Sequence, residues 1–447
     1  MMRGDEALIA QRLATQVRAL DGTPADHDQL LDAIGDAPYV LLGEATHGTH
    51  EFYRERAAIT VRLIKEKGFN AVAVEADWPD AYRVNRFVRG RGGDAEAIDA
   101  LGGFERFPTW MWRNADVLEF VGWLRAHNEG RSDAAKTGFY GLDLYSLHAS
   151  IDAVIAYLER VDPDGARRAR ERYACFDLFG PDAESYAYAV SAGLFASCEP
   201  AVVEQLVEMR RRAADLVARD GRIADDDFFY AEENARVAKN AERYYRTMLD
   251  PRVSSWNFRD THMVETLERL ADFVIRRTRH AKIVVWAHNS HVGDASATDM
   301  GARGELNIGQ LMRRRHPMLT YHLGFTTYDG WVSAASDWHA PVEHKRLRPG
   351  SKGSYESIFH QTGVPAFFVD LRSQHPAIAS LHGPFLERAV GVVYRPDTER
   401  QSHYFHAQLT DQFDGVVHFD RTRAVRPLER GNAWDDGEVP ETFPSGV

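Results

Sequence analysis

The sequence predicts an α/β protein with a largely parallel sheet flanked by helices and a large all-helical insertion that roofs the crevice. Short apolar runs alternate with helical patterns over residues 36–146. Strand patterns are absent from about 147 to 280, where apolar residues recur at helical spacing, and they resume afterwards. We therefore predict three segments: 1–146 as the first part of the α/β core, 147–280 as the insertion and 281–447 as the second part of the core.

The first segment begins its sheet with the buried strand 39–42. A helix is predicted over 51–67, with Gly68 as its stop signal. The later elements follow in order: a strand over 69–74, helices near 80–89 and 114–128, and a strand over 137–142. Strand, helix and strand at this spacing imply parallel β-α-β units with right-handed crossovers.

The insertion and the last segment complete the predicted order. Helical periodicity occurs over 151–158, 202–209, 226–249 and 257–277. Strands are predicted at 282–287, 319–325, 364–371, 389–394 and 416–419, with helices at 307–315, where Asn307 is the N-cap, and at 354–361.

Composition limits the partners and the location. The chain has 447 residues, of which 44% are hydrophobic and 27% charged, and its net charge of −12 argues against nucleic acid as a partner. No apolar run approaches the roughly 20 residues needed to span a bilayer, so no membrane association is expected. The polar N-terminus lacks a signal-peptide core, and Cys175 and Cys198 are too few for a disulfide framework or a thiolate zinc cluster. We expect a cytoplasmic protein, and the sequence specifies no oligomeric state.

Acids and histidines follow three of the predicted strands. Glu44 and His47 follow the first strand, Glu75 ends the second, and His288 and His291 follow the strand at 282–287. Because ligands bind beyond the carboxyl ends of strands in open α/β sheets, we expect these five residues to form one catalytic site.

The five residues suit hydrolysis by an activated water without a covalent intermediate. A positioned imidazole accepts a proton from water or donates one to a leaving group, and a neighbouring carboxylate fixes its tautomer. The sequence contains no G-x-S-x-G, Walker A, G-x-G-x-x-G or H-E-x-x-H motif, which removes support for a serine nucleophile, a nucleotide or a zincin. The structural alternative is that each His or Glu caps a loop or satisfies backbone amides.

The same residues leave a metal-binding alternative open. Two histidines and one or two carboxylates are adequate ligands for a divalent ion. Hydrolysis by an activated water requires no cofactor, but a divalent metal at the His/Glu cluster is possible. A metal- or haem-binding protein is therefore the second hypothesis.

Two arginines and two tryptophans are candidate substrate-binding residues. Arg56, in the helix after His47, and Arg259, at the head of a helical stretch, can stabilise an oxyanion, although a surface salt bridge is the simpler role for either one. Trp110 and Trp112 lie in the aromatic segment 104–114, which either walls a cleft for a large apolar ligand or packs between the sheet and the insertion.

Several motifs together resemble the erythromycin esterase family. They are Gly43-Glu44-Ala45-Thr46-His47-Gly48, Glu75-Ala76-Asp77-Trp78-Pro79, Trp110-Met111-Trp112-Arg113-Asn114, Ala287-His288-Asn289-Ser290-His291 and Gln412-Phe413-Asp414-Gly415-Val416-Val417-His418. The resemblance runs from about residue 36 to 425 and is weakest through the insertion. It implies an α/β core, a helical domain and a deep cleft between them.

The resemblance also implies an activity and a set of roles. Characterised members of the family hydrolyse the lactone ester of macrolide antibiotics, which confers antibiotic resistance. By position, His47 is the implied general base, Glu75 and His288 assist and orient, and Glu44 and His291 line the site. Arg56 and Arg259 fall on positions that resemble the family's cleft arginines.

The segment 77–82 resembles family members of unassigned substrate, some labelled for succinoglycan biosynthesis, more than the resistance enzymes. We therefore expect a hydrolase of a small-molecule ester or lactone. An acyl transferase in polysaccharide modification is the third hypothesis.

Overall fold

A central nine-stranded sheet organises the protein. The computed structural model describes residues 3–179, 183–220, 224–250 and 254–429. Its strands are β1 Arg18–Ala19, β2 Tyr39–Leu42, β3 Ala71–Asp77, β4 Gly138–Asp143, β5 Ile283–Trp286, β6 Thr320–Ala334, β7 Glu343–Leu347, β8 Ala366–Asp370, β9 Phe385–Arg388, β10 Tyr404–Ala407 and β11 Gly415–Thr422.

Helices surround the sheet and fill the interval between β4 and β5. Those before β5 are α1 Arg3–Leu13, α2 Asp28–Ile34, α3 His50–Lys67, α4 Trp78–Val88, α5 Ala97–Ala100, α6 Ala115–Asn128, α7 Leu147–Val161, α8 Pro163–Tyr173, α9 Ala183–Ser191, α10 Glu199–Arg211, α11 Ala213–Asp220, α12 Ala224–Thr247 and α13 Ser255–Thr278. Those after β5 are α14 Asn289–Val292, α15 Asp299–Ala302, α16 Ile308–Arg315, α17 Tyr355–His360, α18 Pro376–Ala379, α19 Glu399–Ser402 and α20 Leu409–Gln412.

The strand order places the candidate site at the carboxyl ends of neighbouring central strands. The order is β1-β8-β11-β6-β2-β5-β3-β4, and β7 pairs with β6. All neighbours from β11 to β4 are parallel, whereas β8, β1 and β7 pair antiparallel with their neighbours. The predicted α/β class and largely parallel sheet are thus confirmed. Because β5 lies between β2 and β3, the three strand ends that carry acids and histidines are adjacent.

Strands β2 and β5, at the centre of the sheet, are apolar at every position because helices cover both faces. Val40 and Leu42 of β2 pack in one core cluster, with α3, α4 and α6. Tyr39 and Leu41 pack in a second cluster on the other face, with α13, α16 and α17. Successive side chains of a strand point to opposite faces, so both faces demand apolar residues.

The helical segment between β4 and β5 contains two structural groups. Helices α7–α12 form a core of their own, around residues such as Val154, Leu206 and Ala238. Helix α13 instead packs on the sheet through Leu267, Leu270 and Val274 and carries Arg259 towards its edge. The sheet-facing helix that precedes β5 is therefore also the helix that completes the site.

The structure differs from the predicted elements in the last segment. Residues 389–394 form no strand; they make isolated bridges to Thr46 and Ala335, and the strand β9 precedes them and pairs with β10 in a separate two-stranded sheet. Val390 and Tyr394 are nevertheless buried, in a small cluster with Val332 of β6, which explains their strand-like apolar pattern. β6 also continues beyond the predicted end at residue 325 and forms a hairpin with β7.

The two cysteines are paired, which the count alone did not predict. Cys175 and Cys198 form a disulfide within the insertion, with their Cα atoms 6.1 Å apart. Among the residues that the structure describes, no helix is long and apolar enough to cross a membrane.

Gly48, at the end of the His47 loop, allows two other segments to approach closely. Its carbonyl oxygen accepts hydrogen bonds from the Ser333 nitrogen at 3.0 Å and the Val425 nitrogen at 2.8 Å. A Cβ at this position would overlap the Ser333 backbone. We predict that Gly48→Ala lowers the free energy of unfolding by about 1–3 kcal/mol, as overpacking does elsewhere.

Urea denaturation measures this effect, and Gly122→Ala is the matched control. Gly122 lies within α6 with open space where a Cβ would stand, so alanine should raise the free energy of unfolding there by about 0.5–1 kcal/mol through helix propensity. Equal stability of the two variants would contradict the close approach at Gly48.

Candidate active site

The β2 end carries a buried chain of three side chains. His47 Nδ1 lies 2.8 Å from Glu44 Oε1, and Arg56 Nη2 donates to Glu44 Oε2 at 2.6 Å. Glu44 is 1% exposed and Arg56 is fully buried. Because the carboxylate accepts from Nδ1–H, this contact fixes the tautomer of His47 that leaves Nε2 as a proton acceptor.

Glu75 lies at the centre of the neighbouring cluster. Its Oε1 accepts from Arg259 Nη2 at 2.9 Å, and its Oε2 accepts from the His288 backbone N–H at 2.9 Å. Burial opposes its charge, but His291, Arg259 and His47 outweigh burial and hold the pKa of Glu75 well below its usual range. Arg259 also binds Asp143 at the end of β4 through Nε at 3.0 Å and Nη2 at 2.6 Å.

His291 is held between two carboxylates. Its Nδ1 lies 2.9 Å from Asp260 Oδ1, and its Nε2 lies 3.2 Å from Glu75 Oε1. Burial disfavours the charged ring, but Asp260 and Glu75 outweigh burial and raise the pKa of His291 to about 9. This pKa favours an imidazolium at neutral pH, in which Nε2–H is directed at Glu75 Oε1. The hydrogen bond from Arg259 Nη1 to His291 Nε2 at 3.0 Å requires an unprotonated Nε2 and belongs to the neutral ring.

His288, in contrast to His291, is a neutral ring. Its Nδ1 accepts from the Ser290 backbone N–H at 3.2 Å and lies 2.8 Å from Ser290 Oγ, so the proton of the neutral ring is on Nε2. Burial and the neighbouring His47 lower the pKa of His288 to about 3. Its buried Nε2 makes no hydrogen bond of normal geometry in the described part of the chain, and the ring centroids of His47 and His288 are 4.9 Å apart.

The structure brings together all five predicted acid and imidazole residues, and Arg259 with them. Arg56 is placed differently from the prediction, because it lies behind Glu44 and contacts the rings of Tyr53 and Trp286 at 4.5 and 5.1 Å instead of facing a crevice. It is therefore a positioning residue for Glu44. Its Nε and Nη1 have no hydrogen-bond partner among the described residues.

The two predicted cleft tryptophans are core residues. Trp110 and Trp112 are 3% and 5% exposed and belong to the sheet cluster that contains α3 and α6. They do not pack against the insertion, because that cluster contains no residue of α7–α12. The Trp112 ring lies 6.5 Å from the ring of Tyr53, whose hydroxyl donates to the His47 carbonyl at 2.9 Å.

Sequence reasoning missed three residues that hold the site. Asp143 binds Arg259, Asp260 binds His291, and Trp256 stacks on His291 with ring centroids 4.4 Å apart. Asp143 directly follows the predicted strand 137–142, so its position after a strand, like that of Glu75, could have identified it as a site residue. Asp260 and Trp256 lie near Arg259 on a helix, where nothing in the spacing distinguishes a ligand of His291 from a solvated residue.

The donor set does not converge on a common metal position. No group of three or more His, Cys, Asp or Glu side chains within the described ranges is arranged to hold a metal ion. The carboxylates bind arginine and imidazole nitrogens, so their lone pairs face those partners. The residues present therefore do not fit a resident divalent ion in this arrangement.

The fold and site define an α/β protein with an acid–imidazole centre at the carboxyl edge of its parallel strands. The erythromycin esterase family model matches residues 64–422, most of the chain, and the protein belongs to this family. Family membership supports an esterase-like hydrolase. The match begins after the loop of Glu44 and His47, so the assignment of those two residues rests on geometry.

Individual relatives are distant but extend over nearly the whole chain. Erythromycin esterase type II of Escherichia coli is 22% identical over 437 residues, which cover 94% of this chain and 98% of that protein. A solved succinoglycan biosynthesis protein is 20% identical with a TM-score of 0.75 and covers 95% of this chain and 100% of its own. A mutant of erythromycin esterase EreC in its open conformation is 17% identical with a TM-score of 0.63 over 88% of this chain and 93% of its own.

The charge on His291 should make stability depend on pH. Its pKa is about 9 in the folded protein and near 6.5 in an unfolded chain, so the stabilisation is complete below pH 6.5 and is lost as pH rises through 9. We predict that the free energy of unfolding of the wild type falls by up to about 3 kcal/mol more than that of His291→Asn between these pH values.

Denaturant titrations at several pH values measure this difference. His382→Asn, a substitution at an exposed histidine, is the control and should keep the wild-type dependence. Parallel curves for the wild type and His291→Asn would show that His291 is not charged in the folded state.

Proposed function

We propose that the protein is a carboxylic ester hydrolase, an esterase or lactonase, in which His47 activates the attacking water. The observation that carries this proposal is the pair of adjacent imidazoles in different tautomers. His47 donates a hydrogen bond from Nδ1–H to Glu44 and presents an unprotonated Nε2, while His288, 4.9 Å away between ring centroids, carries its proton on Nε2. One ring can accept a proton while the other donates a hydrogen bond.

His47 takes the proton of the water as the water attacks the ester carbonyl. Glu44 stabilises the imidazolium that forms and is itself held by Arg56, so the base keeps its orientation through the reaction. The imidazolium then returns the proton to the leaving alkoxide. The acyl group leaves as a carboxylic acid, and no covalent intermediate is required.

His288 and the cations around Glu75 act on the negative charge that develops on the carbonyl oxygen. The neutral His288 ring donates a hydrogen bond from Nε2–H to this oxygen and stays neutral throughout the reaction. The net charge of Arg259 and His291 is balanced by the carboxylates they bind, and their N–H groups contribute fixed dipoles in a buried setting, where such dipoles act more strongly than in water. Their positions are fixed by Glu75, Asp143 and Asp260.

Family membership and the names of the relatives suggest the substrate. Erythromycin contains a macrocyclic lactone, so we include macrolides among the candidate substrates, together with smaller esters and lactones. We propose a metal-free reaction, because the acids and imidazoles bind one another. We also propose a cytoplasmic location; a Cys175–Cys198 disulfide in protein from cells would favour an oxidising compartment instead.

A second candidate activity is acyl transfer to a polysaccharide. The observation that favours it is the structural likeness to a protein named for succinoglycan biosynthesis. The same base would then activate a sugar hydroxyl in place of water. Mass analysis of the products, with and without a sugar acceptor, distinguishes the free acid from an acylated sugar.

His47→Gln should lower kcat by about 10²–10⁴-fold, the usual contribution of a general base, while the melting temperature changes little. Turnover of p-nitrophenyl acetate and of erythromycin measures the effect. The control is His50→Gln, because His50 is three residues further along the chain and binds Asp116 outside the site. Full turnover in His47→Gln would exclude His47 as the base.

Removal of metals should leave turnover unchanged. Protein dialysed against EDTA and checked by elemental analysis should retain its kcat, because Glu44, Glu75 and Asp260 already bind nitrogen atoms of this chain. Loss of turnover that one equivalent of a divalent ion restores would favour the metal hypothesis. A haem absorption band in the purified protein would favour the haem hypothesis.

A further inference from the structure

An exposed tryptophan lies at the end of the hairpin formed by β6 and β7. The Trp338 side chain is 66% exposed, and its ring centroid lies 5.8 Å from that of Phe107. The adjacent His339 ring lies 5.3 Å from Phe107, and Phe107 in turn contacts the buried Trp110 at 5.3 Å. Phe107 and Trp338 thus form an apolar surface from two segments distant in sequence, which we call the aromatic rim.

The turn that carries Trp338 is ordered by its own hydrogen bonds. The Trp338 backbone N–H donates to Asp337 Oδ1 at 2.9 Å, and Arg395 Nη2 donates to the same oxygen at 2.9 Å. His339 has a left-handed backbone with φ of 61°, a conformation that a non-glycine residue rarely adopts. With this backbone conformation at His339, the rings of Trp338 and His339 both lie against Phe107.

One side of the aromatic rim is joined to the loop of His47. The hairpin strand β6 binds this loop through Ser333, whose N–H donates to the Gly48 carbonyl at 3.0 Å. The segment after β9 connects the same two parts, because Val390 N–H donates to the Ala45 carbonyl at 2.8 Å and Ala335 N–H donates to the Val392 carbonyl at 2.9 Å. The turn with Trp338 begins directly after Ala335.

The other side is joined to the cluster around Glu75. Arg106, which precedes Phe107, donates to Asp77 Oδ2 at the end of β3 at 2.7 Å. Its guanidinium lies 4.7 Å from the centre of the Tyr145 ring, and the guanidinium of Arg259 lies 5.0 Å from the same ring. The aromatic rim is therefore connected to both halves of the acid–imidazole centre by short contacts.

We propose that Phe107 and Trp338 bind an apolar ring of the ester substrate. The proposal rests on the hydrolase function proposed above and adds a specificity determinant to it. Aromatic side chains bind planar apolar groups by offset or edge-to-face contact, and ligand sites combine such walls with few polar groups. Removing an aromatic wall weakens the binding of ring-bearing substrates and leaves the bond-breaking step intact.

The probe is N-(2-naphthyl)acetamide, an amide that resists hydrolysis and carries one apolar ring system. Calorimetric titration should show Trp338→Ala and Phe107→Ala each binding it about tenfold more weakly than the wild type. The matched control is Trp331→Ala, in the same hairpin, because the Trp331 ring stacks on His344 at 4.5 Å instead of Phe107. This variant should bind as the wild type does.

Kinetics supply the second measurement. For 2-naphthyl acetate, Trp338→Ala should raise KM about tenfold with kcat unchanged, whereas both constants for methyl acetate should stay the same. No binding of the amide by the wild type, or equal binding by the wild type and both rim variants, would overturn the proposal. Rim-dependent binding without hydrolysis of any ester would support the rim and reject the hydrolase function, so the two failures are distinguishable.

Discussion

The charge on the buried Glu75 carboxylate holds the site together. Three parts of the fold meet at this group: β3, which carries it, the start of α13 through Arg259, and the turn after β5 through His288 and His291. Removing one partner of a buried ion pair leaves an uncompensated charge and typically costs about 3–5 kcal/mol. The position of α13 against the sheet and the charge of His291 therefore depend on Glu75 being ionised.

This arrangement explains how, of two histidines three residues apart, His291 becomes positively charged and His288 stays neutral. His291 lies between Asp260 and Glu75, and these two carboxylates favour a proton on each of its nitrogens. His288 has only hydroxyl and backbone groups at its Nδ1 and is buried beside His47, so it stays neutral. The site therefore combines an ion-paired imidazolium with a neutral hydrogen-bond donor.

The sequence predicted the sheet and the central histidines because both depend on local patterns. Strands with apolar residues at every position are typical of parallel sheets covered by helices on both faces, and residues that follow parallel strands meet at one end of the sheet. Arg56 was misplaced because helical spacing does not show whether a guanidinium faces a crevice or a carboxylate behind it. Trp110 and Trp112 have polar neighbours in the sequence, but their side chains pack in the hydrophobic core. Asp260 acquires its role only when α13 folds onto β5.

The central claim is that His291 is charged and His288 is neutral at the same pH. Nitrogen NMR of the protein labelled with ¹⁵N-histidine reports the protonation of each ring nitrogen directly, with His288→Gln and His291→Asn to assign the signals. At pH 7.5 we predict two protonated nitrogens for His291, and for His288 a protonated Nε2 with an unprotonated Nδ1. A neutral His291 or a charged His288 at this pH would contradict the account.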